Sequence, residues 1–255
     1  MRHSDILRSL MSLRFAVVAV ALLAPASGAW AQSAARTIRI PSAEIGQRTV
    51  SVLLPARYED SEARYPVLYL LHGGGQDHTA FMARRDFARR ARTVDMIVVM
   101  PAADRGGIPP ILATRYEDFL ARELVTYIDA NFRTVTTPAG RAIAGLSMGG
   151  MFAVGTGLRY PDIFGTVGAF SAAAPRAEQP MPAENAGTYF YVSCGLEDSL
   201  VPISRQLVQR LKQRDVAHEY HEIPGFGHSW AFWDPQIDAF FQRLLTRPGW
   251  HAAGR

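Results

Sequence analysis

The chain has 255 residues, with 27 Lys and Arg against 23 Asp and Glu, and a formal net charge of +4 at pH 7. Lys212 is the only lysine and the arginines form no run, so the composition does not indicate nucleic-acid binding or phosphate recognition. A single cysteine, Cys194, excludes an intramolecular disulfide, and the fold must therefore depend on its hydrophobic core.

Residues 1–31 are predicted to be a secretory signal peptide. Three arginines lie within the first 14 positions, residues 15–24 form an apolar core, and Ala29–Ala31 offers an A-x-A cleavage site. That core is too short for a transmembrane anchor, which needs about twenty apolar residues. We expect a secreted or periplasmic protein of residues 32–255, without stable membrane association. Loss of three Arg and one Asp would lower its net charge to +2.

Strand and helix patterns alternate along residues 32–255, which predicts one α/β domain with a mostly parallel central sheet and helices on both faces. Unbroken apolar runs indicate central strands, whereas residues 37–40 and 49–54 alternate like strands at an exposed edge. Predicted strands are residues 37–40, 49–54, 67–71, 96–100, 166–170, 189–194 and 218–223, together with a buried strand whose apolar run, residues 142–144, precedes Gly145. Predicted helices are residues 81–92, 116–132, 148–160, 202–214 and 230–245.

A glycine run follows the predicted strand at residues 67–71, in the order His72, Gly73, Gly74 and Gly75. Backbone N–H groups in such a loop could point at a substrate oxygen, although an ordinary glycine-rich turn also fits these residues. No Gly-Lys-Ser/Thr follows, so a phosphate-binding loop is excluded.

The motif Gly145-Leu146-Ser147-Met148-Gly149 ends an apolar run and leads directly into a helical pattern. In that context Gly-x-Ser-x-Gly predicts a nucleophile elbow, in which a sharp strand-to-helix turn exposes a serine hydroxyl on a strained backbone. Side chains at positions 145 and 149 would collide with the neighbouring strand or helix, which explains the two glycines. Ser147 is therefore the candidate nucleophile.

Two acidic residues, Glu197 and Asp198, follow the predicted strand at residues 189–194. An acid at a strand end can reach a histidine without crossing the core, and active-site groups gather at the carboxyl ends of such strands. Asp198 is the preferred acid, with Glu197 or a helix-capping role for Asp198 as alternatives. Pro202 fits the first helical turn, which favours residues 199–201 as the cap.

His228 is the candidate base among the seven histidines. It lies in the glycine-flanked loop Pro224–Ser229, directly before the last predicted helix. His218 and His221 instead fall within a strand and would point to opposite faces of the sheet. The order serine, acid and histidine along the chain is the order that the α/β-hydrolase topology requires.

These motifs resemble the esterase family of α/β-hydrolases, which includes feruloyl and acetylxylan esterases, S-formylglutathione hydrolases, enterochelin-type esterases and mycolyltransferases. The resemblance implies Ser147 as nucleophile, Asp198 as acid and His228 as base. It also implies Gly74, or alternatively Gly75, as an oxyanion donor. It covers about residues 48–245 and rests on Leu71–Gly75, the helix ending at Tyr127–Phe132, Gly145–Gly150, Gly195 with Asp198, and Gly227–Trp230.

The residue types predict hydrolysis through an acyl-enzyme. His228 would take the proton of Ser147 while Asp198 holds the imidazole. The N–H groups of Met148 and Gly74 would stabilise the oxyanion. No cluster of Cys, His and carboxylate has metal-ligand spacing, so we expect neither a metal nor an organic cofactor.

The predicted substrate is a small-molecule or polysaccharide ester. Residues 102–114 and 171–187 could shape the cleft, and both are short, which disfavours a large lid and suits feruloyl, acetyl or similar esters of a bulky alcohol such as a saccharide. Trp230 and Trp233 could line an aromatic subsite, with packing in the helix core as the alternative. An acyltransferase of the same fold and a non-catalytic binding protein on this scaffold are the rival functions.

Overall fold

A computed structural model of the protein describes residues 35–103, 108–173 and 187–251. All of these residues belong to one compact unit. The predicted signal peptide, residues 1–31, lies outside the described residues, and its boundary stays a prediction. Residues 104–107 and 174–186, parts of the two segments expected to shape the cleft, also lie outside them, so the expected absence of a large lid stays a prediction as well.

The fold is an α/β sandwich around one sheet of eight strands, in the spatial order β1-β2-β4-β3-β5-β6-β7-β8. Strand β2 pairs antiparallel with β1 and with β4, and every other neighbouring pair is parallel. This confirms the predicted mostly parallel sheet. The strands are β1 Arg36–Ile40, β2 Arg48–Leu53, β3 Val67–Leu71, β4 Ile97–Pro101, β5 Arg141–Leu146, β6 Thr166–Phe170, β7 Tyr189–Gly195 and β8 His218–Ile223.

Six α-helices cover the sheet in the described part of the chain, and a π-helical stretch, Phe119–Leu124, joins the second and third without a break. Short 3-10 turns lie at Pro110–Leu112 and Pro138–Gly140. Among the described helices, none combines the length and the apolar character needed to cross a bilayer. The helices are α1 Phe87–Ala91, α2 Ala113–Asp118, α3 Val125–Asn131, α4 Met148–Arg159, α5 Val201–Gln213 and α6 Trp230–Leu245.

The helices bury both faces of the sheet in two separate cores. Helices α2 to α5 pack on one face through residues such as Phe119, Phe152 and Leu211. Helices α1 and α6 pack on the other through residues such as Phe87 and Phe240. All five residues of β3 are buried, because alternate side chains of a covered central strand enter alternate cores.

Two sequence predictions about the first half of the chain are wrong. Strand β2 is buried rather than exposed, because it lies between β1 and β4. The helix predicted at residues 81–92 is helical only over Phe87–Ala91. Asp86 has φ 62°, a left-handed conformation from which a helix cannot continue, so the preceding residues form turns. Phe81 and Phe87 are still buried and their rings lie 5.7 Å apart, which explains the apolar spacing.

The remaining elements agree with the predictions to within a few residues. Strands β3, β6 and β8 and helix α6 begin and end at the predicted positions. The helix predicted at residues 116–132 begins at Ala113 and contains the π-helical stretch. The parallel strands align their carboxyl ends along one edge of the sheet, and the candidate site residues follow those ends.

Candidate active site

The turn between β5 and α4 holds Ser147 in a backbone conformation that few non-glycine residues adopt, with φ 54° and ψ −119°. Such a conformation costs about 1–3 kcal/mol and persists only where the surroundings fix it. The Ser147 N–H donates to the Phe170 carbonyl of β6 at 3.0 Å. The Ser147 carbonyl accepts the N–H groups of Met151 and Ala173, at 3.1 and 2.9 Å. The half-buried serine is therefore held on both sides.

Two glycines allow α4 to start this close to the sheet. A Cβ atom on Gly145 would lie 2.4 Å from the carbonyl carbon of Gly149, at the start of α4. A Cβ atom on Gly149 would lie 2.3 Å from the carbonyl oxygen of Leu71, at the end of β3. Both distances are shorter than non-bonded contact and both neighbours are backbone, so neither position has room for a side chain. The predicted reason for the two glycines is confirmed.

The structure brings the predicted serine, acid and histidine into one hydrogen-bonded line. His228 Nδ1 lies 2.7 Å from Asp198 Oδ2, and His228 Nε2 lies 2.9 Å from Ser147 Oγ. A carboxylate can only accept, so Nδ1 carries the ring proton and the lone pair on Nε2 faces the serine hydroxyl. In this tautomer the imidazole is ready to accept a proton from Ser147.

Asp198 is buried and both of its carboxylate oxygens are occupied. Its side chain has no exposed surface, whereas the neighbouring Glu197 is exposed. While Oδ2 faces His228, Oδ1 accepts the N–H of Leu200 at 2.9 Å. The alternative capping role is wrong, because Leu200 and not Asp198 is the N-cap of α5; the second oxygen of Asp198 instead stabilises the turn before the helix. Leu200 lies in the predicted cap region but makes no side-chain capping bond.

The two tryptophans near His228 have different surroundings. Trp233 is buried, and its ring meets the His228 ring edge-on with centroids 4.9 Å apart. Trp230 is only half-buried and borders a cavity of about 370 Å³. The guanidinium of Arg84 lies 4.7 Å from the Trp230 ring centroid and is fixed by Asp234 at 2.8 Å. Trp233 is thus a core residue, whereas Trp230 packs against Phe81 and Trp233 and also borders the cavity; its role in an aromatic subsite stays a prediction.

The glycine run after β3 forms a turn directly beside the serine. The Gln76 N–H donates to the Gly73 carbonyl at 3.3 Å, and Gly75 has φ 75°, as in a type II turn. A Cβ atom on Gly73 would lie 3.6 Å from Ser147 Cβ, whereas one on Gly74 would meet nothing within 4 Å. Gly74 therefore lies on the open side of this turn.

The predicted oxyanion donors, Met148 and Gly74, belong to the two segments that adjoin Ser147. Met148 is the first residue of α4, so its N–H has no acceptor within the helix and lies at the positive end of the helix dipole. The Gly73 N–H is already taken by Gln76 Oε1 at 3.0 Å, which leaves the Gly74 N–H as the next donor of the turn. The oxyanion roles of Met148 and Gly74 stay predictions.

His72 has a part in this site that the sequence reasoning missed. It is 2 % exposed, its Nδ1 lies 2.8 Å from the Gly73 carbonyl, and its Nε2 accepts the Ala103 N–H at 2.9 Å. Burial lowers the pKa of the imidazole, which keeps the ring neutral. The available signal was a histidine that ends an apolar strand and immediately precedes the glycines.

The described residues offer no obvious metal centre. Among residues 35–103, 108–173 and 187–251, no group of three or more His, Cys, Asp or Glu side chains is placed to hold a metal ion. Cys194 is buried at the end of β7, and burial raises the pKa of its thiol. The thiol is therefore protonated near neutral pH and is a poor nucleophile.

Comparison with known proteins gives one family match and several relatives. The model of the family described as "Putative esterase" matches residues 42–244. An endo-1,4-beta-xylanase/feruloyl esterase of Xylanibacter ruminicola is 30% identical over 214 residues, which cover 78% of this chain and 29% of that protein. Esterase Rv1288 of Mycobacterium tuberculosis is 37% identical over 135 residues, which cover 49% of this chain and 29% of that protein.

The chain therefore matches less than a third of the length of these two curated relatives. Among solved structures, a ferulic acid esterase is similar with a TM-score of 0.67 at 27% sequence identity. That match covers 82% of this chain and 97% of the other. The likeness extends over nearly the whole of that solved chain and over most of the described residues of this one.

Proposed function

The chain belongs to the putative esterase family, and we propose that it is a serine carboxylic-ester hydrolase that acts through Ser147, His228 and Asp198. The observation that carries the proposal is the continuous hydrogen-bonded line from Asp198 through His228 to Ser147. The line ends on the hydroxyl of Ser147, a half-buried residue. The backbone of Ser147 is strained and is held by hydrogen bonds to Phe170, Met151 and Ala173. Such strain is typical of residues kept for chemistry.

The first half-reaction forms an acyl-enzyme. His228 Nε2 removes the Ser147 proton as Oγ attacks the ester carbonyl, and Asp198 stabilises the imidazolium that results. The N–H groups of Met148 and Gly74 stabilise the oxyanion, and each such donor contributes about 3 kcal/mol in comparable sites. His228 then gives its proton to the leaving alcohol as the carbon–oxygen bond breaks.

The second half-reaction returns the free enzyme. Water takes the place of the alcohol, and His228 removes one of its protons as the water oxygen attacks the acyl carbonyl. The same two N–H groups stabilise the second oxyanion. Collapse of the intermediate releases the carboxylic acid and returns a proton to Ser147.

The leaving alcohol is proposed to be bulky and hydroxylated, such as a saccharide. Because His228 delivers the proton to the alcohol, the alcohol must lie on the His228 side of Ser147. The proposed site of the alcohol is the cavity of about 370 Å³ that is lined by Trp230, two residues after His228 in the chain, and by Gln76, Asp77 and Arg84. An aromatic ring beside polar side chains is a common arrangement for binding a ring that carries hydroxyl groups.

The acyl group is proposed to be feruloyl, acetyl or similar. Two of the similar proteins carry feruloyl or ferulic acid esterase in their names. The proposal also includes export, because residues 1–31 have the composition of a signal peptide. N-terminal sequencing of exported protein should find Gln32, and retention of residues 1–31 in a membrane fraction would refute cleavage.

A hydrolysis screen tests the proposed function. Purified protein should hydrolyse p-nitrophenyl acetate or butyrate, and feruloyl or acetylated saccharides with a higher kcat/KM than alkyl esters of the same acids. A parallel reaction with free sugar as acceptor separates hydrolysis from acyl transfer, because transfer would yield a new sugar ester instead of free acid. If the purified protein releases no acid from any of these esters, the proposal is refuted.

A further inference from the structure

The peptide group that joins Gly73 to Gly74 links a buried histidine to the proposed oxyanion site. In a planar trans peptide the carbonyl of one residue and the N–H of the next point in opposite directions. Whatever holds the Gly73 carbonyl therefore also sets the direction of the Gly74 N–H. Two donors hold that carbonyl, namely His72 Nδ1–H at 2.8 Å and the Gln76 N–H at 3.3 Å.

The tautomer of His72 is fixed by its other ring nitrogen. The Ala103 N–H donates to Nε2 at 2.9 Å, so Nε2 carries a lone pair and the ring proton must be on Nδ1. That proton is donated to the Gly73 carbonyl. The imidazole thus spans from the end of β3 to the residue two positions beyond β4, and both of its nitrogens are used for the backbone.

Gln76 holds the other side of Gly73. Its Oε1 accepts the Gly73 N–H at 3.0 Å while its own N–H donates to the Gly73 carbonyl. Gly73 also packs closely on the Leu146 side chain, since a Cβ atom added to Gly73 would lie only 2.7 Å from it. With its carbonyl held by two donors and the preceding N–H held by Gln76, the Gly73–Gly74 peptide has little freedom to rotate.

From this geometry we infer that His72 is a positioning residue that directs the Gly74 N–H toward the oxyanion formed at Ser147, with Gln76 in an assisting role. The inference rests on the proposed function, since it requires an oxyanion at Ser147. His72 itself touches neither the substrate nor the serine in this account. It acts through one hydrogen bond to the Gly73 carbonyl.

Replacement of His72 by two residues of different chemistry tests the inference. His72→Leu removes the donor, whereas His72→Asn keeps an N–H near the position of Nδ1. Loss of one oxyanion donor lowers kcat by about 10²–10³ in comparable sites. For p-nitrophenyl acetate we expect His72→Leu to lose about 10² in kcat with KM nearly unchanged, and His72→Asn to recover to within about tenfold of wild type.

His78 provides a matched control on the same segment. It is a half-buried histidine whose Nδ1 lies 2.7 Å from Ser51 Oγ, and within the described part of the chain its side chain makes no hydrogen bond to Gly73. His78→Leu removes the hydrogen bond between the His78 imidazole and Ser51, as His72→Leu removes the one to Gly73, and it should leave kcat within about twofold of wild type. An equal loss in the His78 and His72 variants would mean that any disturbance of this loop suffices, and would overturn the specific role.

Phenylboronic acid gives a readout that general loosening of the fold does not produce. Its boron bonds to Ser147 Oγ, the serine proton passes to His228, and one of the two hydroxyls of the boronic acid, now on an anionic tetrahedral boron, occupies the oxyanion position. We expect the dissociation constant of this adduct to rise in the His72 variants by the same factor as kcat falls. An unchanged dissociation constant in a variant with reduced kcat would overturn the inference.

Gln76→Met keeps the test valid if His72→Leu does not fold. Gln76 is only half-buried, and its loss removes one hydrogen bond to the same glycine. We expect a smaller fall in kcat, about tenfold, at unchanged KM and unchanged thermal midpoint. If the wild type is active and the His72 and Gln76 variants keep its full kcat, the positioning role alone is refuted. If the wild type is inactive, the proposed function is refuted as well.

Discussion

Strand β5 has a polar cluster at each end, and the two clusters differ in the groups on which their hydrogen bonds end. At its amino end, Arg141 donates to Asp129 at 2.8 Å and to the carbonyls of Ile163 and Thr136, both at 3.1 Å. The second oxygen of Asp129 accepts the Thr134 hydroxyl at 2.7 Å. Every hydrogen bond named here ends on another group of the fold, although Asp129 is half-buried and Thr136 is exposed.

At the carboxyl end of β5 the hydrogen bonds do not close on themselves. The buried Asp198 holds His228, and His228 faces the Ser147 hydroxyl, which is half-buried at the edge of the sheet. A closed cluster can only stabilise the fold, whereas a line that ends on an accessible hydroxyl can transfer a proton. Substitutions at the carboxyl end should therefore change rates, and those at the amino end should change stability.

The largest effect on rate without an effect on stability is expected at Asp198. Asp198→Asn allows the imidazole to adopt the wrong tautomer, and in a comparable triad this change lowers kcat by about 10⁴. We expect such a loss with little change in KM. Glu197→Gln, at the exposed neighbour, should stay within about tenfold, which corresponds to about 1.4 kcal/mol. Steady-state kinetics decide the matter, and a larger loss at Glu197 would identify it as the acid.

The opposite pattern is expected at Arg141. Arg141→Leu leaves Asp129 without its ion-pair partner; loss of one member of a fully buried pair costs about 3–5 kcal/mol, and the lower end of that range, about 3 kcal/mol, is expected because the Asp129 side chain is 21% exposed. Urea unfolding should show that decrease in the free energy of unfolding, with kcat of the folded fraction unchanged. Arg205→Leu, which breaks an exposed pair with Glu222, is the matched control and should hardly move the transition. A fall in kcat at Arg141 would contradict the division between the ends.

A smaller effect, confined to one class of substrate, is expected at Trp230. Trp230→Leu removes the aromatic wall of the proposed alcohol site while Trp233 still packs against His228. The kcat/KM for a feruloyl or acetyl saccharide should fall about tenfold, near 1.4 kcal/mol. The value for p-nitrophenyl acetate should change by no more than about twofold. Equal losses on both substrates would place the alcohol elsewhere or indicate a general disturbance of His228.

The smallest expected effect is a dependence of stability on pH through His72. Burial lowers the pKa of His72 below 6.5 in the folded protein; His78 acts in the same direction, while the hydrogen bonds to Gly73 and Ala103 and the charge of Asp77 oppose it. As pH falls below about 6.5, the unfolded chain binds a proton that the folded chain does not. Stability is therefore complete above that pH and declines toward the folded pKa, by at most about 1.4 kcal/mol per pH unit.

Urea unfolding at several pH values measures this decline. His72→Asn has no group that titrates in this range at position 72, so its free energy of unfolding should fall less between pH 7 and pH 5 than that of the wild type. A variant with the same pH slope as the wild type would show that His72 is not the group responsible. All other titratable groups are common to the wild type and the variant, so the difference between their curves of unfolding free energy against pH isolates His72.

Local patterns predicted the central part of the fold and the three candidate catalytic residues. The unbroken apolar run Val67–Leu71 identified a strand to the residue and the run at residues 96–100 identified one to within one residue, because strands covered on both faces must be apolar throughout. The order of Ser147, Asp198 and His228 along the chain was sufficient to pair them, because the topology of this sheet places those strand ends side by side.

The sequence could not predict features that depend on contacts between distant segments. The donation from Ala103 to His72 joins residues 31 positions apart, and nothing local indicates it. The left-handed Asp86 broke a helix that apolar spacing favoured. Burial of β2 depended on which strands lie beside it, and the spatial order of the strands is not visible in the alternation of a single segment.

The most direct test of the central claim is the rate of p-nitrophenyl acetate hydrolysis by purified wild-type protein and by Ser147→Ala. The substitution removes only the hydroxyl at the end of the hydrogen-bonded line, so the fold should remain. We predict an active wild type and a loss of at least about 10⁴ in kcat, with the thermal midpoint nearly unchanged. A folded Ser147→Ala protein that keeps more than about 1% of the activity would contradict the account.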